Sequence, residues 1–160
     1  MQDEEERMKI RELKENDKEN WIKLAKEADN RDKEWAEKRI KSYTSKKKKK
    51  ILFVLEENNK LVGFVGLKGE DIEENVPAIF NKDYALVTWI ALIPRFRQRG
   101  MGSKLLRHCE EYIKKWKKKG IWLGCRDKVI SFYIKHGYKK YGTFINENGK
   151  EENLVVKELR

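Results

Sequence analysis

The chain has 160 residues, of which 38 are Lys or Arg and 27 are Asp or Glu, so its formal net charge is +11. This length predicts a single domain over residues 1–160. No segment approaches the ~20 consecutive apolar residues of a membrane span, and the charged start is not a signal peptide, so we expect a cytoplasmic protein without a membrane partner. The charge is compatible with nucleic acid, anionic lipid or a phosphorylated ligand and selects none of them.

The first third of the chain predicts a short strand and two helices. Met8 and Ile10 alternate with charged residues, as in a strand. Asn16 and Glu19 have the spacing of a capping box at the start of the first helix. The residues predicted to face the core are Trp21, Leu24, Ala25 and Ala28 in the first helix and Trp35, Ala36, Ile40 and Tyr43 in the second. Lys46–Lys50 then form a basic run, which is typical of a solvated loop.

The middle of the chain predicts three strands and an acidic connection. The stretch ILFVLEENNKLVGFVGL indicates two strands joined by a turn at Asn58–Asn59. Residues 69–83 form a loop or short helix with five acids against one lysine. The next stretch, YALVTWIALI, is apolar without alternation, which predicts a central strand covered on both faces.

The last third predicts a long helix, a buried strand, a short helix and a hairpin. The long helix carries Leu105, Leu106, Cys109, Ile113 and Trp116 at helical spacing. We expect Gly120 to end it as a left-handed residue. The stretch IWLGC is the next strand, Asp127 can cap the short helix that Gly137 closes, and Asn148–Gly149 is the expected hairpin turn. The two cysteines, Cys109 and Cys125, fit neither a disulfide framework nor a CxxC metal site, so both are predicted to be reduced core residues.

The segment RFRQRGMGS at residues 95–103 is the candidate binding site. A P-loop is excluded because Gly102 is followed by Ser103 and Lys104, and a dinucleotide fingerprint is excluded because Leu105 stands at the third glycine position. The pattern that remains is R-x-x-G-x-G at the start of a helix. There the first N–H groups are unpaired, and glycine lets an anion approach them. Anion binding is therefore predicted, with a solvated basic turn as the alternative.

Two stretches resemble the GNAT acetyltransferase superfamily. IALIPRFRQRGMGSKLL is similar to its coenzyme-A-binding motif, roughly V-x-P-x-x-R-x-x-G-x-G followed by a helix. CRDKVISFYIKHGYKKYG is similar to its second signature, F-Y-x-K-x-G-F/Y, about thirty residues later. The resemblance implies an α+β (mixed α/β) fold, a single GNAT-type domain. Its central mixed, mostly antiparallel sheet has about six to seven strands, splays at the central strands and is flanked by about four helices.

The resemblance also implies a cosubstrate and roles for individual residues. Acetyl-CoA is the implied cosubstrate, and no metal is implied. The residues that would bind its pyrophosphate are Arg97, Gln98, Arg99, Gly100, Met101, Gly102 and Ser103. The main chain at Ile90 and Leu92 would pair with the pantetheine arm. Tyr133 would be the general acid that protonates the departing thiolate; the alternative is that Tyr133 and Phe132 only pack within a short helix.

The residue that deprotonates the amine is not identified by the resemblance. The ribosomal-protein alanine acetyltransferases carry a glutamate in a pattern like L-E-V-R, and here Gly124 stands at that position in LGCR. The acids Glu70, Asp71, Glu73 and Glu74 are the candidates for attracting a cationic amine. The alternative is an exposed loop whose charge offsets nearby lysines.

The sequence thus predicts an acetyl-CoA-dependent N-acetyltransferase that acts on a primary amine by direct attack in a ternary complex. One alternative is a basic nucleic-acid-binding module that uses Lys46–Lys50 and the lysines at 114–119, although an RNA-recognition pattern is missing. Another is a coenzyme-A-binding protein without catalysis. His108 and His136 have no Ser or Cys partner by spacing, so neither a hydrolase triad nor a zinc site is expected. The acceptor stays open, as does the choice between monomer and homodimer.

Overall fold

The computed structural model describes residues 8–45, 49–70 and 76–159. These residues form seven strands: β1 (Met8–Glu12), β2 (Lys50–Glu57), β3 (Lys60–Lys68), β4 (Tyr84–Leu92), β5 (Gly120–Cys125), β6 (Lys139–Ile145) and β7 (Glu151–Glu158). They also form five α-helices: α1 (Lys18–Asp29), α2 (Lys33–Thr44), α3 (Ala78–Asp83), α4 (Met101–Tyr112) and α5 (Ile130–Lys135). The strands make one sheet in the order β1-β2-β3-β4-β5-β7-β6. The predicted mixed α+β fold is confirmed.

The chain divides into two compact units. The first contains the chain up to Leu67 together with Trp89–Cys109, and the second contains Lys68–Thr88 and the chain from Glu110 onward. Strand β4 therefore starts in the second unit and ends in the first. Each unit has its own part of the core.

Helices α1 and α2 supply much of the core of the first unit. The Trp21 side chain is fully buried. Its indole N–H donates to the Ala36 carbonyl at 2.8 Å, and its ring meets Phe64 edge-on at 4.9 Å between centroids. The predicted core faces of both helices are confirmed, with Trp35 only half-buried. The turn at Asn58–Asn59 is also confirmed, and both residues have positive φ (48° and 69°).

The predicted capping box at Asn16 and Glu19 is wrong. A 3₁₀ turn precedes α1, and the residue before the helix is Asp17. The Asp17 carboxylate accepts from the Lys14 N–H at 2.8 Å and from two nitrogens of the Arg11 guanidinium, each at 2.8 Å. The start of α1 is therefore set by a contact with β1.

The apolar run predicted that β4 is covered on both faces. This prediction is wrong for the second half of the strand. Thr88 and the four residues that follow it are half-buried. The parallel register of β4 with β5 covers only Tyr84–Leu86 and Gly120–Trp122. This short register is the expected splay of the central strands. The apolar residues of β4 therefore continue beyond the part of the strand that is paired with β5.

In the second unit, β7 lies between β5 and β6 and is antiparallel to both. One face of this part of the sheet carries a cluster of buried residues: Val76, Phe80, Trp122, Phe144 and Leu154. The predicted turn of the β6–β7 hairpin is confirmed, because Gly149 has a φ of 76°. The Asn146 side chain accepts from the N–H groups of Asn148 and Lys150 and holds that turn.

Two predicted helix boundaries are wrong. The left-handed residue after the long helix is Lys117 (φ 56°), and Gly120 instead opens β5. A Cβ on Gly120 would overlap the Lys157 carbonyl oxygen, so this glycine permits close strand packing. Asp127 does not cap α5, because its carboxylate accepts from the Asn153 amide at 2.8 Å. Gly137 closes α5 with a φ of 93°, as predicted.

Two further observations concern the chain as a whole. Across residues 8–45, 49–70 and 76–159, every helix is too short or too polar to cross a bilayer. Cys109 and Cys125 are buried free thiols, which confirms the prediction that both are reduced core residues.

Candidate active site

The basic turn at residues 95–103 joins a 3₁₀ turn at Pro94–Phe96 to the first residue of α4. Gln98 and Gly100 both have left-handed backbone, with φ of 63° and 78°. The Lys104 N–H donates to the Gly100 carbonyl at 3.2 Å and forms the first hydrogen bond of the helix. In any α-helix the first N–H groups lack a carbonyl four residues earlier and point out of the helix end, which here is the basic turn.

Gly100 leaves the main chain of this turn open. It is exposed, and no atom lies within 4 Å of the position that its Cβ would take. Residues 95–107 contain four arginines and one lysine and no acid. The turn therefore combines accessible backbone donors, the positive end of a helix dipole and several cations, which is the composition of an anion site.

Arg97 holds the turn in place. Its Nε donates to the Leu92 carbonyl at 3.1 Å, and a terminal nitrogen donates to the Ala28 carbonyl at 3.0 Å. The turn is thus tied to the end of β4 and to α1. The guanidinium groups of Arg95 and Arg99 lie 5.1 and 5.0 Å from the centroid of the buried Phe96 ring. These contacts fix the backbone of the turn without any ligand.

Ile90 and Leu92 lie on the half-buried part of β4. The Leu92 carbonyl already accepts the bond from Arg97, whereas its side chain packs over β3. A Cβ on Gly63 would lie 2.5 Å from Leu92 Cδ2, so the glycine makes room for the leucine. The apolar end of β4 therefore keeps one partly exposed surface just before the basic turn.

Tyr133 lies on α5 with only 7% of its surface exposed. Burial, and to a lesser degree the neighbouring Cys125, raises the pKa of the Tyr133 phenol to about 12. Its ring meets those of Phe132 and Tyr138 edge-on, with centroids 5.1 and 5.8 Å away. The phenol is therefore protonated at neutral pH and held in one orientation, as a proton donor requires.

Cys125 is the last residue of β5. Burial raises the pKa of its thiol to about 11, and the negative charges of Glu152 and Asp127 act in the same direction, while Lys140 opposes them. The thiol is therefore neutral at physiological pH. Because the thiolate is the nucleophilic form of cysteine, Cys125 is unsuited to carry an acyl group.

The remaining candidates do not converge on a site. Glu70 is exposed, while Asp71, Glu73 and Glu74 lie outside the described residues, so their attraction for an amine stays a prediction. The His136 ring contacts the Phe132 carbonyl through Nδ1 at 2.7 Å, and His108 packs edge-on against Phe53. In the part of the chain that the structure describes, no three His, Cys, Asp or Glu residues are placed to share a metal ion.

The sequence did not reveal three spatial relations: the hydrogen bond of Arg97 to the Ala28 carbonyl, the electrostatic effect of Cys125 on Tyr133, and the position of the Glu152 carboxylate above Gly124. Each joins residues that are distant along the chain or on different elements. Gly124 carried the one available signal, because a glycine within a strand often marks the close approach of another group.

The sequence matches the model of one known protein family over more than half of its length. The model of a family described as an acetyltransferase (GNAT) domain matches residues 48–140. An uncharacterized N-acetyltransferase of Methanocaldococcus jannaschii is 32% identical over 111 residues, which cover 68% of this chain and 47% of that protein. The chain thus spans about half the length of this curated relative.

Solved structures of two acetyltransferases share the fold. The ribosomal-protein-S18-alanine N-acetyltransferase from Escherichia coli has a TM-score of 0.69 and 20% identity, with 94% of this chain and 93% of that chain covered. The PaiA N-acetyltransferase from Thermoplasma acidophilum, in complex with coenzyme A, has a TM-score of 0.65 and 21% identity, with 95% and 99% covered. At these identities the likeness establishes the fold alone.

Proposed function

The chain belongs to the acetyltransferase (GNAT) domain family, and we propose that it transfers the acetyl group of acetyl-CoA to a primary amine. The observation that carries this proposal is the geometry of the basic turn. A left-handed glycine with open space around it precedes the N-terminus of a twelve-residue helix, in a segment with five cations and no acid.

The turn suits the pyrophosphate of a coenzyme. Backbone N–H groups at Gly100, Met101, Gly102 and Ser103 are donors for phosphate oxygens, and Gln98 and Arg99 lie beside them. Arg97 stabilises the conformation of the turn, since its guanidinium donates hydrogen bonds to two carbonyls. The half-buried end of β4, with Ile90 and Leu92, offers an apolar surface and a strand backbone to the pantetheine arm. That the PaiA structure contains coenzyme A supports this assignment.

The transfer needs an amine, the thioester and a proton donor. The amine nitrogen forms a bond to the thioester carbonyl carbon, and the C–S bond of the tetrahedral intermediate then breaks. The sulfur leaves with the electron pair and takes a proton from Tyr133, and the new amide nitrogen returns a proton to the phenolate. Because the Cys125 thiol stays neutral, we favour this direct transfer in a ternary complex over an acyl-cysteine route.

The test is a calorimetric titration of the protein with acetyl-CoA. We expect one acetyl-CoA to bind per chain, and we expect Gly100→Trp to weaken binding by about tenfold or more, since 1.4 kcal/mol corresponds to a factor of ten. The matched control is Gly149→Trp. Gly149 has nearly the same φ (76° against 78°) and equally open surroundings, so it carries the same backbone strain in a different turn.

Binding that is lost in Gly100→Trp and kept in Gly149→Trp supports the coenzyme site at residues 95–103. Failure of the unmodified protein to bind acetyl-CoA would overturn the proposal. Equal loss in both variants would also overturn the assignment of the site, because it would attribute the effect to strain alone.

A further inference from the structure

Glu152 on β7 and Gly124 on β5 lie on neighbouring strands of the second unit. Gly124 pairs with Leu154, and Glu152 lies two residues from that partner on β7, which makes it a diagonal neighbour on the same face. A Cβ on Gly124 would lie 2.6 Å from Glu152 Oε2 and 2.6 Å from Phe144 Cζ. The Glu152 carboxylate therefore occupies the space that any other residue at position 124 would fill.

This place on β5 is accessible. Gly124 is the one half-exposed residue of the strand, whose other five residues are buried. Glu152 is half-buried as well. The Glu152 carboxylate and the Phe144 ring thus fill the space above Gly124 at a partly exposed place on the sheet.

The Glu152 carboxylate has no partner among residues 8–45, 49–70 and 76–159: neither a hydrogen bond nor an ion pair reaches it. The chain has 38 Lys and Arg residues, so cationic side chains that could pair with a carboxylate are abundant. Two other acids of this unit have partners: Glu110 pairs with Lys157 at 2.7 Å, and Asp127 accepts from Asn153. A half-buried carboxylate beside an aromatic ring loses hydration, and a cation that binds there restores the lost stabilisation.

The surroundings of the carboxylate are apolar. Trp122 lies two residues before Gly124 and belongs with Phe144 to the buried cluster of this face. Tyr84, Leu86 and Val156 pack against that cluster and are partly exposed. If a ligand binds Glu152 through its cationic group, apolar side chains on the same face can contact the remainder of the ligand.

Glu152 also acts electrostatically on the end of β5. Its charge acts on the Cys125 thiol, and that thiol in turn acts on Tyr133. The carboxylate and the phenol are thus both within electrostatic reach of the last residue of β5.

We propose that Glu152 binds the ammonium group of the acceptor and accepts the proton that must leave it before attack. The acceptor class is a primary ammonium carried on an apolar chain. The alkylammonium transfers one proton to the carboxylate, which leaves a neutral amine with a free electron pair for the thioester, and the carboxylic acid later releases its proton to solvent. Glycine at position 124 is required because a side chain there would displace the carboxylate. This inference rests on the proposed acetyl transfer.

The experiment measures acetyl transfer by Glu152→Gln to n-propylamine and to 2,2,2-trifluoroethylamine. The two amines are similar in size, but at neutral pH the first is charged and the second is largely uncharged. We expect kcat/KM for propylamine to fall about 100-fold, the scale of a lost general base, and kcat/KM for trifluoroethylamine to change much less. A merely structural role for Glu152 would reduce both equally.

Two controls accompany the measurement. Glu151→Gln changes the neighbouring exposed glutamate on the other face of β7 and is expected to act like the unmodified protein. Gly124→Ala is expected to reduce transfer to propylamine. Gly142→Ala, at a position with nothing within 4 Å of the added carbon, is expected to leave it unchanged.

The outcomes separate the two proposals. Absence of acetyl-CoA binding in the titration rejects the acetyltransferase itself. Acetyl-CoA binding without transfer to propylamine by the unmodified protein overturns the proposed acceptor class. Transfer by Glu152→Gln equal to that of Glu151→Gln overturns the role of Glu152.

Discussion

Tyr133 shows how one residue can be suited to proton donation by its surroundings. Desolvation disfavours the charged phenolate, and the nearby Cys125 adds to the effect, so the pKa of the phenol is about 12. A raised pKa means that the neutral form persists through the physiological range. Tyr133 therefore stays protonated at neutral pH, which is the state that the proposed role requires.

We expect Tyr133→Phe to lower kcat about 100-fold or more, the scale of a general acid, and to leave the affinity for acetyl-CoA unchanged. In the unmodified protein, kcat is not expected to fall through Tyr133 ionisation between about pH 7 and about pH 10, since the phenol loses its proton only near its raised pKa. Steady-state rates over this range check the prediction. A fall in kcat within it that is absent in Tyr133→Phe would contradict it.

The junction of β1 and α1 depends on a charged contact between elements. Arg11 on β1 donates to both carboxylate oxygens of Asp17 and, at 3.3 Å, to Glu56 on β2. Hydrogen bonding from Arg11 is the largest cause that lowers the pKa of the Asp17 carboxyl. The carboxyl is thus more acidic in the folded chain than in the unfolded chain. Its contribution to stability is complete above the unfolded pKa and is lost as the pH falls through the folded pKa.

Asp17→Asn is expected to lower the free energy of unfolding by about 1–3 kcal/mol at neutral pH, because the half-buried Arg11 loses its charged acceptor. The difference from the unmodified protein should shrink as the pH falls below about 4, where the unfolded carboxyl becomes protonated, and vanish below the lower pKa of the folded carboxyl. Urea unfolding at both pH values measures it. Glu12→Gln, at an exposed position of β1, serves as control and should change stability by less than about 0.5 kcal/mol. An equal penalty at both pH values would show that charge is not the cause.

The elements that sequence predicted best are those whose determinants are close along the chain. The turns at Asn58–Asn59 and Gly149 and the amphipathic faces of α1 and α2 follow from local chemistry. The start of α1 did not, because Asp17 is bound by Arg11 on another element. Gly120 was misassigned for the same reason: the atom that excludes a side chain there belongs to Lys157 on β7.

The candidate site divides in the same way. The basic turn is a continuous segment, so its glycines and cations could be recognised from their spacing alone. Glu152 could not be found, since its place over Gly124 depends on the register of β5 with β7. A shift of one residue in that register would have moved the carboxylate to the other face of the sheet.

At the scale of the whole molecule, the path of the chain matters. The chain leaves the first unit after Leu67, returns to it at Trp89 and leaves again after Cys109. Each unit is therefore built from separated segments, and neither is a continuous piece that could be excised. This connectivity favours the single domain that the length of the chain predicts.

We expect one cooperative unfolding transition, because a unit built from separated segments cannot lose its order while the connecting segments keep theirs. Far-UV circular dichroism and tryptophan fluorescence should give the same midpoint in urea. A variant with Trp116→Phe and Trp122→Phe retains Trp21, Trp35 and Trp89, which all belong to the first unit. Its fluorescence midpoint should equal its dichroism midpoint. Two separated midpoints would show that the units unfold independently.

The position of β7 between β5 and β6 has a consequence for the chain as it is synthesised. The ribosome delivers β5 and β6 before the strand that separates them in the sheet. Until Glu158 has emerged, β5 and β6 each have an edge that lacks its native partner. A direct pairing of β5 with β6 would be a misfolded state. Closure of this part of the sheet is therefore a late event in biogenesis, and a nascent chain that carries β6 but lacks β7 exposes strand edges that favour aggregation.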